Sequence, residues 1–344
     1  MMEVRYKERE YLKDYCLDIK LFKKFNLTVK DVIPIRKVFI VVTEEGDFIL
    51  KKLDYDVEGL YFISHGLEYI RRNGFRRTFN FRKTIDGKIY ETYKGENYCM
   101  INLINGRECV YSNPVDVTLA TDTLALLHKS SKGFYSEFRN RDNRGKIIEK
   151  LQEELNQIKL LKNMVLSYRE KKELDEIFLD NVDYLIEKAN ESISILNKSS
   201  YYSICNKEDK VAFCHHDLAY HNIIIKDEEA YFIDFDYAII DLKVHDMANY
   251  IYRVIKSFGY DIEKAKYIIE EYSNNYYIDK DELEVLHGIM SFPHRKFILF
   301  RNYYFRQKDW EYSSFLQKAI NKCDFKDEEE EFLQKFNDVF LHNK

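Results

Sequence analysis

The chain has 344 residues, with 54 Lys and Arg against 59 Asp and Glu, for a formal net charge of −5. That length can bury a sizeable core and suggests two or three lobes, while the slightly acidic balance argues against a generic nucleic-acid or polyanion binder. The six Cys, at 16, 99, 109, 205, 214 and 323, contain no C-x-x-C, which excludes a zinc ribbon or thioredoxin motif and reads as reduced thiols.

The stretch from Met1 to Tyr6 lacks an apolar signal core, and no apolar run reaches the ~18 residues of a membrane span. The expectation is a soluble protein not exported by a standard signal. Tyr (28) and Phe (24) are abundant while Pro (3) is scarce, a bias that an AT-rich genome produces. Residues 1 to about 30 read as a helix plus a connector. Lys37–Thr43 is a strand, Glu44–Asp47 a turn, and Phe48–Leu53 the return strand. A helix follows over about 57–72, striped by Leu60, Ile63, Leu67 and Ile70 and ended by Gly74. Lys88–Thr92 and Tyr98–Leu103 are further strand candidates. From about residue 115 the pattern turns helical, with a helical hairpin of two long amphipathic segments over about 146–196. The acidic run Asp327–Glu331 reads as a solvated helix start.

Three apolar runs near the middle carry the chemistry: Val211–Cys214, Ile223–Ile225 and Ala230–Ile233, the last two joined by the polar turn Lys226–Glu229. Around them stand His215-His216-Asp217-Leu218-Ala219-Tyr220-His221-Asn222 and Ile233-Asp234-Phe235-Asp236. H-x-D-x-x-x-x-N followed by I-D-F-D is the spacing of phosphoryl transfer: one Asp orients a hydroxyl, and an Asn and a second Asp hold metal at nucleotide phosphates. The hairpin brings Asn222, at the start of one strand, and Asp234, at the end of its partner, to the same end. Mg²⁺ favours such oxygen ligands. Lys51 matches the lysine that pairs with the α/β-phosphates, and Lys52 faces away because strand side chains alternate. The turn before it offers one glycine, Gly46, rather than a glycine-rich loop. Glu58 and Glu68 are candidate helix partners for Lys51. Asp246 can cap its helix or hold the catalytic loop through backbone N–H groups. His215 reads as a scaffold residue that ties the loop to the Asp234 segment.

These residues, with Leu124–Phe134, Phe235-Asp236-Tyr237, His245-Asp246 and Phe292–Phe297, resemble the aminoglycoside phosphotransferase and choline kinase superfamily and, more narrowly, the CotS spore-coat family. The resemblance spans about residues 37–310. It implies an α+β, bilobal protein-kinase-like fold, with a small antiparallel β lobe bearing one helix and a larger mainly helical lobe. Residues 1–104 would form the nucleotide-binding lobe, and 105–344 the lobe with the catalytic loop and the 146–196 hairpin. It further implies ATP and Mg²⁺ as cofactors, Asp217 as catalytic Asp, Asn222 and Asp234 as metal ligands, Lys51 on the phosphates, and the backbone near Leu103 as the adenine hinge. A spore-coat relative would act in the mother-cell cytoplasm and be deposited in the coat, with other coat proteins as partners and neither nucleic acid nor membrane bound. The pattern departs at His216, where Gly usually precedes the catalytic Asp, and at Ile63, near the place of the helix glutamate.

Two alternatives stay open: a coat scaffold on a kinase fold that turns over poorly or not at all, and a zinc site using Cys214, His215 and His216. For a kinase, the 146–196 hairpin and Ser291–Arg306 are the segments able to wall the site of a small-molecule acceptor. His294, Arg295, Arg301 and Arg306 among aromatic residues suit an acceptor that is not a polycation.

Overall fold

The computed structural model describes residues 17–342. It is a mixed α/β structure that divides into two compact units. One comprises the described residues through Val110 with Tyr220–Asp236, and the other Tyr111–Ala219 with the described residues from Tyr237 onward. The segment carrying Asn222 and Asp234 therefore belongs with the N-terminal unit. The expected Cys16 and most of the expected first helix lie outside the described residues.

In the first unit, helix α1 (Ile19–Lys24) precedes strands β1 (Val29–Ile35), β2 (Val38–Thr43) and β3 (Asp47–Lys52). Helix α2 (Val57–Arg72) and strands β4 (Tyr90–Tyr93) and β5 (Glu96–Asn102) follow, giving an antiparallel five-stranded sheet in the order β1-β2-β3-β5-β4. β1, whose VKDVIPI carries a proline, is not among the strands expected from the sequence. Pro34 is tolerated there because β1 is an edge strand. Alternation along β3 sends Leu50 into the cluster with Val41, Tyr98 and Met100. Lys51 pairs across the sheet with Cys99, whose cluster includes Leu60 of α2. Asp56 caps α2 by accepting from Gly59 N at 2.7 Å, and Gly74 leaves the helix at φ +96°. The stripe Leu60, Ile63, Leu67, Ile70 is buried as expected, each side chain contributing about 1.5–3 kcal/mol.

A second sheet of this unit orders β6 (Arg107–Glu108), β8 (Ile223–Lys226) and β9 (Glu229–Phe232). Gly106 is required at its edge: a Cβ there would meet Ile225 O at 2.6 Å. Ile223 pairs with Phe232, and Ile233 N donates to Asn222 O at 3.0 Å, so Asn222 and Asp234 do sit at one end of this hairpin.

The second unit is helical around one two-stranded ribbon, β7 (Val211–Cys214) with β10 (Ile239–Leu242). β7 pairs with β10, not with the following hairpin. Helices α3 (Pro114–Ser130), α4 (Ile147–Leu166), α5 (Glu173–Lys198) and α6 (Tyr201–Ile204) precede the ribbon. After it come α7 (Lys243–Ile255), α8 (Ile262–Asn275), α9 (Lys280–Ser291), α10 (His294–Tyr304), α11 (Tyr312–Cys323) and α12 (Lys326–Phe340). The expected helical hairpin is α4 and α5, with Leu151, Leu155, Ile158, Phe178, Val182 and Leu185 buried. One buried group of charges is paired: Glu282 joins Lys210 at 2.7 Å and Lys243 at 3.2 Å.

Candidate functional site

In the first unit, Lys51 reaches the I-D-F-D segment. Its Nζ lies 2.5 Å from Asp234 Oδ1 and 2.6 Å from Asp236 Oδ2. Burial works against the ammonium, but Asp236 and then Asp234 outweigh it and raise the Lys51 pKa. Burial pushes the Asp236 carboxyl up against the pull of Lys51, and the neighbouring Asp234 adds to the push. One ammonium thus faces two carboxylates. The surplus negative charge and the oxygen donors suit a hard divalent cation, and Asn222, 2% exposed, stands at the same end of the hairpin. Asp234 adopts φ +64°, a left-handed conformation that costs a non-glycine residue roughly 1–2 kcal/mol. Such strain persists where surrounding structure holds it.

The helix glutamates are not the partners of Lys51. Glu68 pairs instead with Arg72 at 3.5 Å, and Glu58 lies in the first turn of α2. Asp236 takes the partner's place. The signal for it was present in I-D-F-D, since two carboxylates two positions apart can share one face. Lys52 turns away to Glu96 at 2.8 Å, as alternation requires. Leu103, expected to lie at an adenine hinge, donates its N–H to Asp47 O at 3.0 Å, so that N–H is already used.

In the second unit, Asp217 follows β7 in a loop fixed by the buried carboxylate of Asp246. Asp246 Oδ2 accepts from His215 N at 2.7 Å and Oδ1 from His216 N at 2.8 Å, and His128 Nε2 lies 3.1 Å from Oδ2. Burial alone would raise the Asp246 pKa, but the His128 hydrogen bond and nearby imidazoles hold it down at about 2. Of the two roles expected of Asp246, holding the His215–Asp217 loop through backbone N–H groups matches the geometry. His215 Nδ1 accepts from Asp217 N at 3.2 Å, bracing the loop at Asp217 itself. His216 stands at φ +65°, the conformation for which glycine is usual. It is held there by its N–H bond to Asp246, by Asn249 Nδ2 at 3.1 Å from its Nδ1, and by edge-to-face packing on His245. Burial, then the charge of His245, lowers the His216 pKa to about 4, so the ring is neutral near pH 7. Arg253 of α7 binds Asp217 Oδ1 directly, a partner with no local signal in the sequence because it lies 36 residues downstream on another element.

A cavity of about 670 Å³ opens beside Asp217, lined by residues of α4, α7 and the α9–α10 junction. Of the basic residues expected to wall it, Arg295 does so and His294 lines it while bonded to Glu154 at 2.8 Å. Arg301 lies 3.6 Å from the same carboxylate, and neither Arg301 nor Arg306 lines the cavity. The zinc alternative does not fit. The Cys214 thiol shares a group of potential ligand atoms with His128 and Asp246, not with His215 and His216. Burial pushes its thiol pKa well up, and both Asp246 oxygens are already engaged.

A small antiparallel sheet unit with one long helix, a larger helical unit, and the Lys51–Asp234 pair define a protein-kinase-like fold. Solved structures share it. An aminoglycoside phosphotransferase from Alicyclobacillus acidocaldarius superposes with a TM-score of 0.82 at 17% identity, over 95% of this chain and 97% of that one. A spectinomycin phosphotransferase in complex with ADP and spectinomycin gives 0.65 at 14% identity, over 91% and 94%. An ethanolamine kinase from Plasmodium vivax gives 0.58 at 14% identity, over 92% and 88%. No curated protein matches the sequence. The family described as "Spore coat putative kinase YutH" matches residues 18–336, and the chain belongs to that family.

Proposed function

We propose that this chain is a spore-coat-associated phosphotransferase that moves the γ-phosphoryl group of ATP, bound with Mg²⁺, to a hydroxyl of a small molecule. The observation that carries the reading is the Lys51 ammonium held between Asp234 and Asp236. Lys51 would meet the nucleotide phosphates, and Asn222, Asp234 and Asp236 would be the oxygen donors for the cation. Mg²⁺, when bound, would neutralise phosphate charge. At Leu103 an adenine contact would run through the carbonyl, because the N–H serves Asp47. Asp217, oriented by Arg253 and His215, would accept the acceptor's proton as the hydroxyl oxygen bonds to phosphorus and the bond to the ADP oxygen breaks. Residues 1–104 would act as the nucleotide-binding lobe and 105–344 as the catalytic lobe, with 220–236 lending Asn222 and Asp234 to the nucleotide side. Family membership supports mother-cell synthesis and deposition in the spore coat, beside other coat proteins.

A second reading is a coat scaffold that binds nucleotide without efficient turnover. The lack of a helix carboxylate on Lys51 and the single Gly46 in the β2–β3 turn favour it. A thermal-shift titration with ATP and Mg²⁺, followed by assay of ATP consumption with candidate acceptors, separates the two. Stabilisation with Asp217-dependent turnover supports the enzyme. Stabilisation without turnover on any acceptor supports the scaffold, and no stabilisation defeats nucleotide binding altogether.

A further inference from the structure

We infer that the cavity beside Asp217 takes an acceptor carrying an oxyanion group, a phosphate monoester or a carboxylate, about one helical turn from the hydroxyl. This rests on the phosphotransferase reading for the hydroxyl, whereas the anion site stands on the geometry of the second unit alone.

Lys150, Arg253, Lys256, Arg295 and Lys296 line the cavity, against the carboxylates of Glu154, Asp217 and Glu329. All three carboxylates are already engaged. Glu154 meets His294 and Arg301, Asp217 meets Arg253, and Glu329 meets Lys296 and the Tyr260 hydroxyl. Among the described residues no carboxylate pairs with Lys256 or Arg295, and Lys150 donates to a neutral amide, Asn143. Lys318 and Lys322 share a second hollow with Lys256 and Arg295, which line both. The wall therefore keeps an uncompensated positive charge, which an oxyanion would balance and a polycation would oppose.

Placement on the helices agrees. Asn249, Arg253 and Lys256 of the α7 segment line the cavity at the spacing of one helical face. Arg253 marks the level of Asp217, and Lys256 follows about 4.5 Å along the axis at 1.5 Å per residue. At α10 the first turn holds His294, Arg295 and Lys296, with no acidic residue and no side-chain cap. Cations there oppose the helix dipole, a local cost that a bound anion would reverse. Tyr252 and Phe292 add flat apolar wall for a ring or carbon chain.

The test is isothermal titration of the full chain with inorganic phosphate, ribose 5-phosphate, ribose and kanamycin. Variants are the double Lys256→Ala/Arg295→Ala, the conservative Arg295→Lys, and Lys51→Ala. Phosphate and ribose 5-phosphate should bind, ribose at least about tenfold more weakly. The double variant should lose about tenfold or more, Arg295→Lys should recover part of it, and Lys51→Ala should bind like the wild type. Binding of ribose or kanamycin as tight as ribose 5-phosphate overturns the proposal. So does no binding of either phosphate, full affinity in the double variant, or loss of anion binding in Lys51→Ala, which would assign the anion to the nucleotide groups. Arg295-dependent anion binding by a chain that Mg²⁺ and ATP fail to stabilise would keep the anion site and remove the phosphotransferase reading.

Discussion

Lys51 Nζ lies 2.5 Å from Asp234 Oδ1, joining two residues 183 positions apart in the chain. The contact links the central strand of one sheet to the end of a hairpin that the sequence reaches only after the whole α3–α6 helical region and β7. Charge-assisted bonds of this kind are worth about 1.5–3 kcal/mol. Lys51→Ala should therefore weaken nucleotide binding about 10- to 100-fold. Asp234→Ala should abolish the metal-dependent part of the ATP thermal shift. Wild-type-like shifts in both variants would remove these residues from the nucleotide site.

Asp246 should be the more damaging position for stability. Its carboxylate is fully buried and accepts two backbone N–H groups of the loop that ends in Asp217. Asp246→Ala leaves those donors and His128 without their acceptor, at about 3 kcal/mol or more. The melting temperature should fall by several degrees and any Asp217-dependent turnover should vanish. Asp246→Asn, which keeps one acceptor oxygen, should lie between. An unchanged melting temperature in Asp246→Ala would show that the loop is held by other means.

Both the fold class and the main candidate site residues are legible in the sequence because the signals are local. H-x-D-x-x-x-x-N and I-D-F-D stand within twenty-two residues, from His215 to Asp236, and the α2, α4 and α5 stripes follow helical periodicity. What escaped is non-local or locally disfavoured. β1 hides behind Pro34, β10 is four residues long, and nothing near Arg253 in the sequence points to Asp217. The resemblance implies a helix carboxylate, Glu58 or Glu68, for Lys51, and packing instead supplies Asp236. His216 broke the glycine rule in the sequence, and the structure meets the cost with two hydrogen bonds and a ring contact.

His216 also sets an acid limit. Its pKa is about 4 when folded and 6.5 when free, so between those values the unfolded chain binds the extra proton. Stability should thus decline as pH falls from about 6.5 towards 4, in the same direction as the buried His128. In a His216→Asn variant the decline should be shallower, as read from melting temperatures across that window. An equally steep decline would assign the acid sensitivity elsewhere. Since His216 stays neutral near pH 7, it should add no limb near pH 6.5 to a turnover profile.

Lys322 offers a pH readout of the anion site. Burial, then the cations Arg295, Lys256 and Lys318, lower its pKa to about 8, with Glu329 opposing them. Its Nζ donates to Arg295 O at 2.8 Å, tying it to the first turn of α10. Between pH 8 and 10.5 the unfolded chain carries the proton that the folded chain has released, so Lys322 makes stability rise with pH across that window. An oxyanion bound beside Arg295 and Lys256 would lift the Lys322 pKa back towards its free value. Binding should then take up a fraction of a proton near pH 8, and affinity should fall as pH rises above it. Titrations of phosphate in buffers of different ionisation heat measure the uptake. Lys322→Met should remove most of it while leaving Arg295-dependent binding in place. Proton-neutral binding by the wild type at pH 8 would show that the anion does not reach this cluster.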